Sequence, residues 1–210
     1  MLAWAVLLSV VAGFVDAVCY LSLGRAFAAN MTGNLVELGI AAADGHWRQS
    51  LWLGSIIVAF LAGVLIARLI LRAHRSPRLS LVIEGAMIAA AGTGLLGGAA
   101  TPLLAAALAL QNEIGLHGMV AVNIAFITGD IQQLGERLVG ETLPAARKGG
   151  DKQPRVILAI LLCYAAGAAI GSVGAHFGAA SLFAPAAILL AAAALPARST
   201  GLAARERPDG

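Results

Sequence analysis

The stretch Ala28-Ala-Asn-Met-Thr-Gly-Asn-Leu-Val-Glu-Leu-Gly39 places polar residues and glycines inside an otherwise apolar chain. A related stretch, Ile124-Ala-Phe-Ile-Thr-Gly-Asp-Ile-Gln-Gln-Leu-Gly135, follows in the second half. Four identities lie in step, each pair 96 positions apart (128 − 32): Thr32 with Thr128, Gly33 with Gly129, Leu38 with Leu134 and Gly39 with Gly135. A polar interruption in both halves of an apolar chain is typical of a membrane protein with an internal repeat, and it indicates a binding site.

Composition defines the class of protein. Hydrophobic residues make up 60% of the chain and charged residues 12%, whereas soluble domains have roughly a quarter of their residues charged. Apolar runs of about 20 residues recur, which is the length that crosses a bilayer as a helix. We therefore expect an all-α polytopic membrane protein rather than a very apolar soluble bundle. Residues 1–197 should form a single transmembrane domain, followed by a polar, disordered tail at 198–210.

The net charge of +3 reflects membrane topology. The basic residues lie in loops between the apolar runs, as in the cytoplasmic loops of membrane proteins. This distribution predicts a lipid bilayer as the partner and no nucleic acid.

The order of the predicted elements repeats in two halves, about 1–99 and 100–197. Short helices begin at Thr32, running to about Ala43, and at Thr128, each after an irregular stretch, at 24–31 and 118–127. The predicted long helices are 3–23, 51–71, 80–99, a helix from Pro102, 155–175 and 181–196. Tyr164-Ala-Ala-Gly-Ala also echoes Phe60-Leu-Ala-Gly-Val, 104 positions earlier.

Two arrangements of these segments are open, and the basic residues distinguish them. If each short helix crosses the membrane, eight crossings form two parallel repeats and the 14 basic residues divide 5 to 9. If the short helices are re-entrant, about six transmembrane helices form two inverted-topology repeats, with only Arg25 and Arg48 opposite the other 12 of the 14. The positive-inside rule favours the second arrangement, with both termini cytoplasmic.

The two Thr-Gly motifs are the predicted binding site. Irregular backbone at membrane depth must lie inside the protein or line a watery cavity. Thr32 and Thr128 would be N-caps whose helix N-termini attract an anion, with Gly33 and Gly129 allowing close approach. In the alternative, the threonines only cap and the glycines only pack. The predicted substrate-binding residues are Asn30, Thr32, Gly33, Asn34, Gln111, Asn112, Thr128, Gly129 and Asp130.

Acidic residues within the apolar runs are candidates for proton coupling, because a charge at membrane depth costs on the order of 3 kcal/mol. Asp16 and Glu113 have no capping role and are the predicted coupling residues. Glu84 lies near the start of its run. Asp130 is open to a second interpretation as a charge favoured by its own helix dipole. We expect none of these acids to have an intramembrane Lys or Arg partner.

Enzyme signatures are missing from the sequence. It has no His-Glu-x-x-His helix, Gly-x-Ser-x-Gly elbow, P-loop or dinucleotide glycine motif. We therefore expect no enzyme, no cofactor and no metal. Two functions are open: a small secondary transporter or permease for a small solute, with an anion as one candidate and a proton as the coupling ion, or a non-transporting assembly or interaction subunit. A homo-oligomer is compatible with both.

Four motifs carry a family resemblance: Gly13-Phe-Val-Asp-Ala17, Asn30-Met-Thr-Gly-Asn34, Leu110-Gln-Asn112 and Ile127-Thr-Gly129. Over about residues 3–197 the chain resembles the YoaK family of bacterial inner-membrane proteins, a domain of unknown function. The resemblance implies some six transmembrane helices and a location in the bacterial inner membrane, but no activity. The sequence departs from the family pattern at Glu113 and Asp130, where uncharged residues are expected.

Overall fold

The helices follow the apolar runs of the sequence. The computed structural model describes residues 2–74, 77–114, 131, 135 and 154–195, and over these residues the chain forms helices and no strand. Two 3-10 segments, Gly97–Ala99 and Ala175–Leu182, precede α5 and α7 respectively. The helices are α1 (Leu2–Ser22), α2 (Met31–Ala43), α3 (Trp47–His74), α4 (Pro77–Gly92), α5 (Ala100–Ile114), α6 (Pro154–Gly174) and α7 (Phe183–Ala194).

The predicted all-helical membrane protein is confirmed. Three stretches, Ala3–Ser22, Trp47–Ile70 and Arg155–Ala194, are long and apolar enough to span a membrane by length and composition. The third contains both α6 and α7, which are separated at Gly178, where the backbone has φ 60° and ψ −148°. It therefore corresponds to the two spans predicted at 155–175 and 181–196.

The span predicted at 80–99 was too long. α4 ends at Gly92 and is 16 residues long, which is shorter than the roughly 20 residues that a straight crossing needs. Gly94 and Gly97 have φ of 73° and 50°, a left-handed conformation that ends a helix and that glycine adopts without strain. The glycine-rich end of the predicted span is therefore a turn.

Three helices end at one side of the protein, which we call the upper side and define by the segment Ala175–Leu182. α6 runs directly into this segment. The hydroxyl of Ser22, the last residue of α1, donates to the carbonyl of Ala175 at 3.0 Å. Gly92, the last residue of α4, lies against Leu182. Helices α1, α4 and α6 therefore run in one direction.

Helices α5 and α7 run in the opposite direction. The Gln111 amide, near the end of α5, donates to the carbonyl of Leu8, near the start of α1, at 2.9 Å. The Arg78 guanidinium, near the start of α4, donates to the carbonyl of Leu195, just after α7, at 3.0 Å. Each pair joins the early part of one helix to the late part of the other, so the paired helices are antiparallel.

Helix α3 lies parallel to α5. Near the upper side, the Trp52 indole donates to the carbonyl of Gly98 at 2.8 Å. Near the lower side, Arg68 pairs with Glu113 at 3.2 Å. Among the described helices, α1, α3, α4, α5, α6 and α7 therefore alternate in direction along the chain.

Helix α2 returns to the side at which α1 ends. Leu23 and Gly24, after α1, line the same upper cleft as Gly45 and His46, after α2. The 13 residues of α2 span about 20 Å, which is less than the ~30 Å of a bilayer core. The chain between α1 and α3 therefore enters the protein and leaves it on the same side.

Candidate functional site

The chain breaks between α1 and α2, as predicted, over residues 23–30. Gly24 and Arg25 both have positive φ, 120° and 61°, and they turn the chain back into the protein. A Cβ at position 24 would lie 2.6 Å from the Trp52 ring, so the turn requires glycine for space as well as for conformation. Ala26, Ala28 and Ala29, which follow the turn, are buried.

Asp16 on α1 holds this broken segment from inside the protein. Its side chain is buried, and its Oδ1 accepts hydrogen bonds from the backbone N–H groups of Ala28 and Ala29, both at 2.7 Å. Its Oδ2 accepts a hydrogen bond from the Tyr164 hydroxyl of α6. One carboxylate thus accepts hydrogen bonds from two backbone N–H groups that have no helical partner. Backbone groups outside regular structure need such partners at membrane depth because lipid supplies none.

Asn34 holds the same segment from the other side. Its Oδ1 accepts a hydrogen bond from the Phe27 N–H at 2.9 Å, and its Nδ2 donates to the Phe27 carbonyl at 2.7 Å. The side-chain amide therefore pairs with both backbone groups of one residue. Asn34 is completely buried, so its part in the predicted site is to shape the break.

The N-cap of α2 is Asn30, and the prediction of Thr32 was wrong. Asn30 Oδ1 accepts the Gly33 N–H at 3.2 Å and the Thr32 hydroxyl at 2.9 Å. An N-cap residue must itself have non-helical backbone angles, and Thr32 is already the second residue of α2. Because Asn30 takes the Gly33 N–H, that donor is not free for an anion.

Gly33 makes room for the chain itself. A Cβ at this position would lie 3.0 Å from Asn30 Nδ2 and 3.2 Å from the Phe27 ring. The glycine therefore allows close packing of the chain on itself, as in the alternative interpretation, rather than close approach of a ligand. The side chains of Asn30 and Thr32, by contrast, are exposed outside the protein core, so these two predicted residues can reach a solute.

On α5, three consecutive predicted residues are buried: Gln111, Asn112 and Glu113. Glu113 forms an ion pair with Arg68 of α3 at 3.2 Å, so the expectation that it has no basic partner was wrong. The long Arg68 side chain extends from an exposed position to the buried carboxylate, as arginine does near membrane interfaces. Glu113 therefore has a structural role in joining α3 to α5.

Tyr164 is the residue at the break that sequence reasoning missed as a partner of Asp16. The sequence held a signal, since Tyr164 opens the motif that echoes Phe60-Leu-Ala-Gly-Val. That motif packs α6 closely on α1: a Cβ at Gly13 would collide with the Tyr164 carbonyl, and a Cβ at Gly167 with the Val10 carbonyl. Small residues at such crossings allow helix backbones to approach in membranes.

The upper side of the protein carries an open cleft of about 840 Å³. Its lining residues are Leu23, Gly24, Gly45, His46, Trp47, Arg48, Gln49, Trp52 and Gly98. The cleft adjoins the start of the break but contains none of the predicted site residues. Among the residues that the structure describes, no group of three or more His, Cys, Asp or Glu side chains could hold a metal ion.

The second Thr-Gly motif lies outside the described residues. Thr128, Gly129 and Asp130 were predicted to form the other half of the site. The predicted meeting of the two motifs therefore stays a prediction, as do the substrate-binding and proton-coupling roles of the site residues.

Fold and site together define a class of protein: an all-helical, multi-pass membrane protein in which a buried acid holds a broken segment ahead of a half-length helix. The sequence of residues 4–195 matches the family described as "Protein of unknown function (DUF1275)". The chain belongs to this family.

A named relative agrees with that assignment. The chain is 44% identical over 63 residues to the UPF0700 transmembrane protein YoaK of Bacillus subtilis (strain 168). The aligned stretch covers 30% of this chain and 28% of that relative, so the likeness supports family and membrane location only. The resemblance to the YoaK family noted in the sequence is confirmed. No solved structure gives a significant match to the chain.

Proposed function

We propose that the protein is a small secondary transporter of the bacterial inner membrane, built from two inverted repeats. The observation that carries the proposal is a pair of equivalent helix crossings. A Cβ at Gly63 would lie 2.5 Å from the Ala106 carbonyl, and a Cβ at Gly167 would collide with the Val10 carbonyl. Ala106 follows Val10 by 96 positions, and Gly167 follows Gly63 by 104. These are the offsets of the two repeated motifs.

The helix directions support inversion rather than a parallel repeat. In the proposed halves α1 corresponds to α5, α3 to α6 and α4 to α7. The members of each pair run in opposite directions: Gln111 joins the end of α5 to the start of α1, and Arg78 joins the start of α4 to the end of α7. Inverted repeats with broken helices at their interface are a recurrent transporter architecture.

The charge distribution supports cytoplasmic termini. Arg68, Arg72 and Arg78 lie toward the lower side, where α1 begins, whereas Arg25 and Arg48 lie toward the upper side. If the lower side faces the cytoplasm, the positive-inside rule is satisfied.

The proposed solute site lies beside the break between α1 and α2. Asn30 and Thr32 present exposed side chains there, and Asp16 and Asn34 fix the backbone behind them. We propose a small solute, with an anion as the first class to test, contacted also by Gln111, Asn112 and the second Thr-Gly motif, Thr128 to Asp130. Proton coupling belongs to the same proposal, and Asp16 and Glu113 are the coupling residues that the sequence predicts.

Flux into proteoliposomes tests the proposal. We expect uptake by the wild type and at least a tenfold loss in Asn30→Ala with Thr32→Ala, because the two exposed polar side chains beside the break are removed. Asp16→Asn keeps the Oδ1 acceptor and tests coupling: loss of proton-driven uptake with retained exchange supports Asp16, and equal uptake removes it from the mechanism. Thr93→Ala, outside the proposed site, is the matched control. No flux for any small anion or nucleobase would refute transport.

A non-transporting assembly subunit is the second candidate, favoured by an apolar face on α2. Leu35, Val36 and Ile40 are exposed by 60%, 63% and 53%, and this second proposal has a partner chain cover them in the membrane. If the protein is an assembly subunit, replacing the three residues by alanine releases a protein partner in native co-purification. If the transporter proposal holds, the same variant keeps its solute flux.

A further inference from the structure

Helix α4 carries a buried carboxyl group to which no role has been given. Glu84 on α4 is completely buried, and neither of its carboxyl oxygens has a hydrogen-bond partner among the residues that the structure describes. Two further buried oxygens, Ser80 Oγ and Gln111 Oε1, also have none. Unpartnered buried polar atoms are rare because each costs free energy, so three residues of this kind on two neighbouring helices require an explanation.

Ser80 and Gln111 lie at the same end of the two helices, and Glu84 lies midway along α4. Ser80 is one turn before Glu84, on the same face of α4. Gln111 lies near the end of α5, which packs against α4, and its Nε2 is fixed on the Leu8 carbonyl at 2.9 Å. Because α5 runs antiparallel to α4, the end of α5 lies beside the start of α4. Ser80 and Gln111 are thus in the lower half of the protein, and Glu84 is about half-way up α4.

No countercharge is available to the buried carboxyl group from the described elements around it. Helix α7 has no titratable residue. Of the charged or titratable side chains that the structure describes on the other packed elements and on α4 itself, Arg68 pairs with Glu113, Arg78 donates to the Leu195 carbonyl, and Arg48, Arg72 and His176 are exposed. An ionised carboxylate in this position would therefore be both desolvated and unpaired, which costs several kcal/mol.

We propose that Glu84 is a proton-binding site and carries the coupling proton of the proposed transporter. A proton from water adds to the carboxylate and leaves a neutral carboxylic acid, which is the form that suits the dry interface. Release of the proton restores the carboxylate and requires a second conformation in which water reaches it. This role rests on the proposed function, whereas proton binding itself does not.

In this proposal Ser80 and Gln111 accept from the Glu84 O–H group through intervening water, since neither is bonded to it directly. A neutral acid has an O–H group that seeks an acceptor, and Ser80 Oγ and Gln111 Oε1 have free acceptor capacity. Water between unpartnered polar groups of this kind is common in protein interiors. Ser80 lies between Glu84 and the lower end of α4, so it marks the direction by which a proton reaches the carboxyl group.

This assignment moves proton coupling away from the original candidates. Both carboxylate oxygens of Asp16 already accept hydrogen bonds, from Ala28, Ala29 and Tyr164, and Glu113 is paired with Arg68. Protonating either residue would break contacts that hold the helices together, whereas protonating Glu84 breaks none.

Infrared spectroscopy of the purified full-length protein tests the site directly. A protonated carboxyl group has a carbonyl stretching band that a carboxylate lacks. We expect the wild type at neutral pH to show such a band, Glu84→Gln to lose it, and Glu37→Gln, the matched control on α2, to keep it. A spectrum in which Glu84→Gln retains the full band would overturn the proposal.

Two further measurements keep the proposal testable if Glu84→Gln fails to fold. In the wild type, carbon-13 labelling of glutamate must shift the band, and labelling of aspartate alone must not; the reverse pattern would overturn the assignment. Addition of sodium chloride at constant pH must leave the band unchanged, since its loss would identify a cation site instead.

Flux separates this inference from the proposed function. If Glu84→Gln loses the band and proton-driven uptake but keeps solute exchange, both stand. If no variant transports and the band still depends on Glu84, the transporter proposal fails and the proton site stands. If Glu84→Gln retains proton-driven uptake, the coupling role is overturned even where the band is lost.

Discussion

Replacing Asn34 by leucine should destabilise the protein more than its position in a short helix suggests. Leucine has a similar size, so packing changes little, but both hydrogen bonds to Phe27 are lost, the one to its N–H at 2.9 Å and the one from Nδ2 to its carbonyl at 2.7 Å. Each buried backbone group left without a partner costs about 1–3 kcal/mol. Phe27 is only half-buried, so we expect a total near the lower end, roughly 3 kcal/mol.

Thermal unfolding in detergent measures this loss. For a chain of this size, 1 kcal/mol corresponds to about 2–4 °C in Tm, so Asn34→Leu should lower Tm by about 6–12 °C. Asn30→Ala is the matched control: it removes the exposed N-cap of α2 and should cost about 1 kcal/mol. If Asn34→Leu costs no more than Asn30→Ala, water rather than Asn34 satisfies Phe27, and the description of the break as a side-chain-supported segment is wrong.

Three further predictions concern the helix contacts, all measured by thermal unfolding in the same detergent. Gly167→Val should prevent folding, because its Cβ would overlap the Val10 carbonyl. Gly39→Ala is the control: a Cβ there has nothing within 4 Å, so the variant should be more stable by about 0.5–1 kcal/mol. Equal stability of the two variants would contradict the close crossing of α1 and α6. Arg68→Ala should cost about 2 kcal/mol because the buried Glu113 carboxylate loses its ion pair with Arg68. Glu113→Gln should recover part of that loss; additive effects would show that the pair is not coupled. Tyr164→Phe should cost about 1–2 kcal/mol through its hydrogen bond to Asp16, and an unchanged Tm would show that this bond contributes nothing to the native state.

The existence and type of the helices could be predicted from the sequence because apolar runs of spanning length have few alternatives in a bilayer. The bounds of α1 and α6 agree with the prediction to within a residue or two. The break before Asn30 was also predictable, since it lies where polar residues and glycine interrupt the apolar pattern. The end of α4 was not, because Gly92 to Gly98 are as compatible with a closely packed helix as with a turn.

Side-chain partners could not be predicted, for a physical reason. The sequence shows that Asp16 is an acid at membrane depth, but whether such an acid is a proton carrier or a hydrogen-bond acceptor depends on which donors the fold brings to it. Those donors come from residues 12 and 13 positions away, Ala28 and Ala29, and from α6, 148 positions away. The pair of Arg68 and Glu113, 45 positions apart, has the same origin.

The two glycine crossings are alike in shape but not in chemistry. Beside the first, Asp16 and Tyr164 join α1 to α6. Their counterparts at the repeat offsets are Asn112 and Phe60, and a phenyl ring has no hydroxyl to donate. The proposed duplication has thus kept the close glycine contact at both crossings. The hydrogen bond from the Tyr164 hydroxyl to the Asp16 carboxylate belongs to the first crossing. In the proposed transport cycle the two halves exchange conformations. Because a side-chain hydrogen bond joins α1 to α6 and its counterpart position between α3 and α5 has a phenylalanine, the two conformations differ in free energy even without a solute.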